Sequence, residues 1–155
     1  MQTFLPESDF DQTAKNLDQK RLMKQRIENL QILKSLSGLY KSGAWSNHPA
    51  VKMWENHEDW LFMYNEAIVK EILLRGYKNS TQKEFDHVYS NNYFSMESEK
   101  PWWLGNSRLH YSHKGRLFEK DQEKYYFYSQ YANYKDLGYI CCDKCNYFWP
   151  THVKK

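Results

Sequence analysis

No run of about 18 or more apolar residues occurs in this chain, which speaks against a membrane-spanning helix. The opening "MQTFLPESDF" also lacks the basic start and long apolar stretch of a secretory leader. A soluble, intracellular (cytoplasmic) protein without a membrane partner is the expectation. Strong charge bias is absent too: the formal net charge is +3 and the pI is ≈ 8.6, a balance that permits an anionic partner without demanding one. Nor is there a disulfide framework. The three cysteines, Cys141, Cys142 and Cys145, crowd together, an odd and local set that suits reduced thiols or a metal. Repeats, low-complexity tracts and convincing alternating strands are missing as well.

What is abundant is aromatic. Thirteen tyrosines, eight phenylalanines and six tryptophans make up 17% of the chain, more tyrosine than a core alone requires. At 155 residues the length fits one compact domain, residues 1–155, with a candidate Cys-rich insertion at 139–147. The periodicity is helical. Ser8 followed by Asp11, with Pro6 upstream, resembles a capping arrangement and predicts a helix starting near Asp9. Its apolar positions run from Phe10 to Leu36 and stop at Gly38, with a bend near Asp18. A loop follows, and Pro49 opens a second long helix over residues 49–75 that ends in "RGY". "STQKEFDHVYS" predicts a short helix. "SRLHYSHKGRLFEKDQEKYYFYSQY" predicts one helix or two, interrupted or ended near Gly115. The expected fold is all-α: a compact single-domain helical fold with an irregular aromatic C-terminal tail.

At about 100° per residue, Arg21, Gln25, Glu28 and Ile32 share one stripe of the first helix, with Lys24 beside it. A solvated face with ordinary i,i+4 partners, worth a few tenths of a kcal/mol each, is the plain reading. A carboxylate presented among bases to an anionic ligand is the functional one. Arg26 falls on the apolar side between Leu22 and Leu30, where it must snorkel, pair with a carboxylate or meet a phosphate. The basic segment "HYSHKGR", with His110, His113, Lys114 and Arg116, either grips phosphates or forms a solvated face with a satisfied histidine. His48, before a proline, reads as a hydrogen-bonding turn residue. Tyrosines at helical spacing, as between Tyr125 and Tyr134, complete a core more often than they stack on bases.

The blocks "MQTFLP", "LDQKRLMKQRIENLQIL", "NHPAVKMW", "LLRGY", "PWWLG" and "LHYSHKGRLFEKD", followed by "FWP", resemble in sequence and order those of the pyrimidine dimer DNA glycosylases of the phage endonuclease V type and their bacterial relatives. The resemblance covers nearly the whole chain and implies a compact helical DNA repair enzyme, an N-glycosylase with AP-lyase activity, acting as a monomer on double-stranded DNA with damaged or abasic sites. It further implies that a free N-terminal α-amine attacks C1′ of the damaged nucleotide and forms a Schiff base. An α-amine ordinarily titrates at about 7.7–8.0, against about 10.4 for lysine, so it is the better nucleophile near neutrality. Glu28 matches the family's catalytic glutamate. Arg21 stands where the phage enzyme has a histidine, and Arg26 lies near its arginine; with Lys24, His110, His113, Lys114 and Arg116 they form the expected DNA-binding set. Gln2 is too large to allow removal of the initiator methionine, so Met1 itself would supply the amine. The chemistry implied by the resemblance requires no cofactor. Cys142 and Cys145 have CxxC spacing, to which Cys141 or His152 would add a ligand for a structural zinc. Two further classes fit the same residues: a glycosylase for another modified base, and a non-catalytic DNA-binding protein on this scaffold.

Overall fold

Asp9 ends an extended N-terminal segment, and its carboxylate accepts the Gln12 amide at 2.9 Å, which satisfies one of the free donors at the start of α1 (Phe10–Asn16). Asp9, rather than Ser8, is thus the cap. The computed structural model describes residues 1–40, 42–92, 94 and 97–153. The helix predicted over 9–38 is two helices, because Leu17 and Asp18 are both extended between α1 and α2 (Gln19–Leu36). Remote side chains hold this break open. Arg75 Nη2 donates to the carbonyls of Ala14, Lys15 and Leu17, and the Asp18 amide donates to the Tyr125 hydroxyl at 2.9 Å.

The helix predicted over 49–75 is likewise divided, into α3 (Pro49–Lys52) and α4 (Glu58–Leu74). Pro49 opens α3 as expected, and His48 caps it by accepting the Ala50 amide. The interruption centres on Asn56, a non-glycine residue in the left-handed region at φ 66°. Gly38 and Gly76 end α2 and α4 with positive φ, and in each case the glycine's own amide and the one after it return to the last turn. The expected short helix is α5 (Gln82–Ser90).

The last long helix, α6 (Ser107–Lys120), passes through Gly115 without a break. The glycine is there for closeness, not for a turn. A Cβ on it would lie 2.2 Å from Tyr134 Cδ1 and 2.4 Å from the Tyr131 carbonyl, so only hydrogen lets the tyrosine-rich 3₁₀ segment Tyr126–Tyr131 and its sequel lie against α6. The remaining tail is irregular apart from a turn at Pro150–His152. No strand occurs among the described residues, and none of their helices is long and apolar enough to cross a membrane. One buried cluster runs from Phe4 to Trp149, with Trp54 stacked on Tyr64 and set edge-on against Trp103 at its centre.

Gly115→Ala should destabilise the protein by about 1–3 kcal/mol through overpacking, despite the gain in helix propensity. Urea unfolding reads this directly, and a stabilised variant would mean that the tyrosine segment does not lie so close.

Candidate active site

Residues 2–5 belong to no helix, yet Thr3, Phe4 and Leu5 are buried, so their backbone groups need side-chain partners. Four buried side chains provide them, and a fifth, Trp54, holds the Thr3 side chain. Gln25, on α2, accepts the Phe4 amide through Oε1 at 2.9 Å and donates through Nε2 to the Gln2 carbonyl and to Asn29. Tyr64, on α4, donates to the Phe4 carbonyl, and Trp54 Nε1 donates to the Thr3 hydroxyl at 3.0 Å. From α6, His113 Nδ1 accepts the Leu5 amide at 2.8 Å, and His110 Nδ1 lies 2.8 Å from the Leu5 carbonyl. Because His110 Nε2 accepts the Gly105 amide, its proton sits on Nδ1 and is donated to Leu5.

This clamp brings the start of the chain to Glu28. The Met1 amine lies 3.9 Å from Glu28 Oε1, and Lys24 Nζ lies 3.8 Å from the same oxygen. The charged stripe is therefore not a solvated face. Gln25 is fully buried and Glu28 is only 3% exposed, while Lys24 reaches into solvent at the rim. Glu28 Oε2 is buried with no hydrogen-bond partner among the described residues. Burial raises the Glu28 carboxyl above the usual range, and the charges of Lys24, the amine and Lys120 oppose that rise. Lys120 is itself lowered, first by burial and then by Arg116, Arg21 and Lys24, with Glu28 pulling the other way. A buried acid beside an amine, within the field of several cations, can manage protons at an anionic sugar–phosphate substrate.

The remaining candidates have distinct placements. Arg21 donates to Asp18 at 3.0 Å and lies over the Tyr125 ring. Arg26 is buried and donates to the Lys78 carbonyl at 3.1 Å, which ties α2 to the chain after α4. Lys114 pairs with Glu7 at 3.4 Å among the rings of Tyr111, Tyr128 and Tyr131. Arg116 pairs with Glu119 and lies over Tyr147. Met1 and Lys24 thus each form an ion pair with Glu28, whereas His110, His113 and Arg26 act on backbone inside the protein. Sequence reasoning did not single out Lys120, Tyr147 or Tyr64. Lys120 sits inside the block "LHYSHKGRLFEKD", one turn (i,i+4) beyond Arg116 on one helix, and that spacing was the available signal. Separately, one donor atom from each of Cys141, Cys142, Cys145 and His152 lies within 4.8 Å of the others, a group able to hold a metal ion.

The clamp requires neutral imidazoles. Burial lowers His113 from the ordinary value of 6.5 to about 3, with His110 adding to the effect, and His110 is also lowered by burial. Both folded-state values lie below the unfolded ones, so the stabilisation is complete above about pH 6.5 and is lost as the pH falls toward 3. Glu28, raised by burial, has the opposite sign. Unfolding free energy should therefore fall by up to about 1.4 kcal/mol per pH unit from His113 between pH 6.5 and 5, with His110 adding in the same direction. His113→Gln, which keeps an acceptor for Leu5, should flatten that slope; an unchanged slope would assign it elsewhere.

No curated protein and no solved structure gives a significant match to the chain. A family model described as pyrimidine dimer DNA glycosylase matches residues 1–85, more than half of the chain. The matched part holds the clamped start, Gln25, Lys24, Glu28 and Tyr64, while α6 and the cysteine–histidine group lie beyond it. With that match over more than half of its length, the chain belongs to the pyrimidine dimer DNA glycosylase family.

Proposed function

We propose that this protein is a monomeric DNA repair N-glycosylase with AP-lyase activity, which excises damaged pyrimidines, pyrimidine dimers foremost, from double-stranded DNA. The observation that carries the reading is the Met1 amine 3.9 Å from a buried Glu28 carboxylate. The unprotonated amine attacks C1′ of the damaged nucleotide; the C1′–N bond breaks, and the base leaves with the bonding electrons. Opening of the sugar ring gives a Schiff base to the Met1 nitrogen. The cationic imine acidifies the C2′ proton, and its removal expels the 3′ phosphate by β-elimination.

Glu28 serves at both stages. Its carboxylate stabilises the cationic sugar and relays the ring-opening and C2′ protons, and burial in a low-dielectric site strengthens the first of these effects. Lys24, Lys120, Arg21 and Arg116 take the flanking phosphates, which makes binding salt-dependent. Lys114, paired with Glu7 among three tyrosine rings, would reach a phosphate only by leaving that pair. Arg26, His110 and His113 are positioning residues: they act through the backbone that they hold. The base extruded from the duplex would be read in the space around Met1 and Glu28.

The test is borohydride trapping on a duplex with a single abasic site, using untagged protein. A covalent protein–DNA adduct is expected, and it should vanish when the N-terminus is acetylated. Glu28→Gln should slow trapping by about 10²–10⁴-fold while leaving duplex binding within a few-fold. An adduct of equal yield from the acetylated protein would contradict the assignment to Met1. DNA binding without any adduct from the free amine would instead leave a binding protein on this scaffold.

A further inference from the structure

We propose that Cys141, Cys142, Cys145 and His152 form a structural zinc site that fastens the aromatic tail over the clamped N-terminus. Four donors of the types zinc prefers converge from two stretches of chain, three thiols from the turn at residues 141–145 and one imidazole from the Pro150–His152 turn. Zinc bonds of about 2.3 Å to sulfur and 2.0–2.1 Å to nitrogen in a tetrahedron place sulfur and nitrogen roughly 3.5 Å apart. His152 Nδ1 lies 3.5 Å from Cys141 Sγ and 3.4 Å from Cys145 Sγ. Cys142 and Cys145 are closer, at 2.9 Å, and would separate on binding. All three thiols are free. Binding would release their protons and leave three thiolates and one neutral imidazole around the cation, a site with a single net negative charge.

The location gives the metal a task. Between the Tyr126–Tyr131 segment and Pro150 the chain has no regular structure, yet it must present Tyr147, Phe148 and Trp149 to the core. Cys141 Sγ lies 3.3 Å from the Tyr147 carbonyl, a thiol hydrogen bond that zinc coordination would replace, and the Phe148 amide donates to Ser112 of α6. Tyr147 then meets the rings of Phe4 and His113, and Trp149 meets His48 and His113. The cluster sits at the root of the strap that covers the clamp. Small cross-links matter most where secondary structure supplies little order. The site lies outside residues 1–85, the part of the chain matched by the family model.

The test uses full-length protein, purified under reducing conditions, dialysed against micromolar zinc and then against metal-free buffer. About one zinc per chain should remain, and cobalt(II) in its place should show the visible bands of a tetrahedral thiolate site. Cys142→Ser and His152→Ala, both at exposed positions, should lower retained zinc at least tenfold with helical circular dichroism unchanged. Chelation of the unmodified protein should speed amide exchange in residues 145–149 by at least tenfold. A reduced, folded chain that titrates three thiols and retains no zinc would overturn the proposal. So would a Cys142–Cys145 disulfide formed in preference to metal binding.

Discussion

The structure depends on the hydrogen bonds that buried side chains make to the backbone of residues 2–5. Each contributes only about 0.5–1.5 kcal/mol net, but leaving any one of these buried groups unpaired would cost about 1–3 kcal/mol. The set therefore fixes register more than it adds stability. Sliding the segment by one residue would set Pro6, which has no N–H, against the His113 acceptor in place of the Leu5 amide. A chain terminus, ordinarily the least ordered part of a protein, is in this way held at a defined point beside Glu28.

That constraint explains the composition of α2. Gln25 and Glu28, one turn apart on the same stripe, divide the work: the amide holds the segment, and the carboxylate faces its first atom. Lys24 lies at the rim, where its charge acts on Glu28 without the cost of burial. The histidines of α6 must remain neutral, His113 to accept the Leu5 amide and His110 to accept the Gly105 amide while it donates to Leu5, and their burial favours this. The same burial that protects the clamp raises the Glu28 carboxyl, so the stability of the N-terminal segment and the protonation of the acid share one cause.

Helical class, the ends at Gly38 and Gly76, and the short helix near residue 85 were legible because they are set by local period and by glycine. A bend near Asp18 was legible too, but its sharpening into a full break between two helices was not, and neither was the break around Asn56. The first depends on Arg75 and Tyr125, more than 50 positions away, and the second on a left-handed asparagine that no periodicity announces. Gly115 looked like a stop because its reason for being glycine is Tyr134, a contact of tertiary origin. In the site, Glu28 and Met1 came from the resemblance, and the stripe around Glu28 came from the helical wheel. A wheel gives direction but not what lies opposite. The stripe, read as solvated, is covered by the chain's own first residues, and the "HYSHKGR" histidines, read as a surface segment, face the same residues from the other side.

The most direct test of the account is to add one glycine before Met1. The variant keeps a primary amine, the full clamp and Glu28, but moves the amine by up to about 3.8 Å along the chain. Since a misplacement of about 1 Å can cost 10²-fold, borohydride trapping on an abasic duplex should slow by at least about 10²-fold, with urea unfolding unchanged. Trapping at the rate of the unmodified chain would show that the clamp does not set the position of the nucleophile.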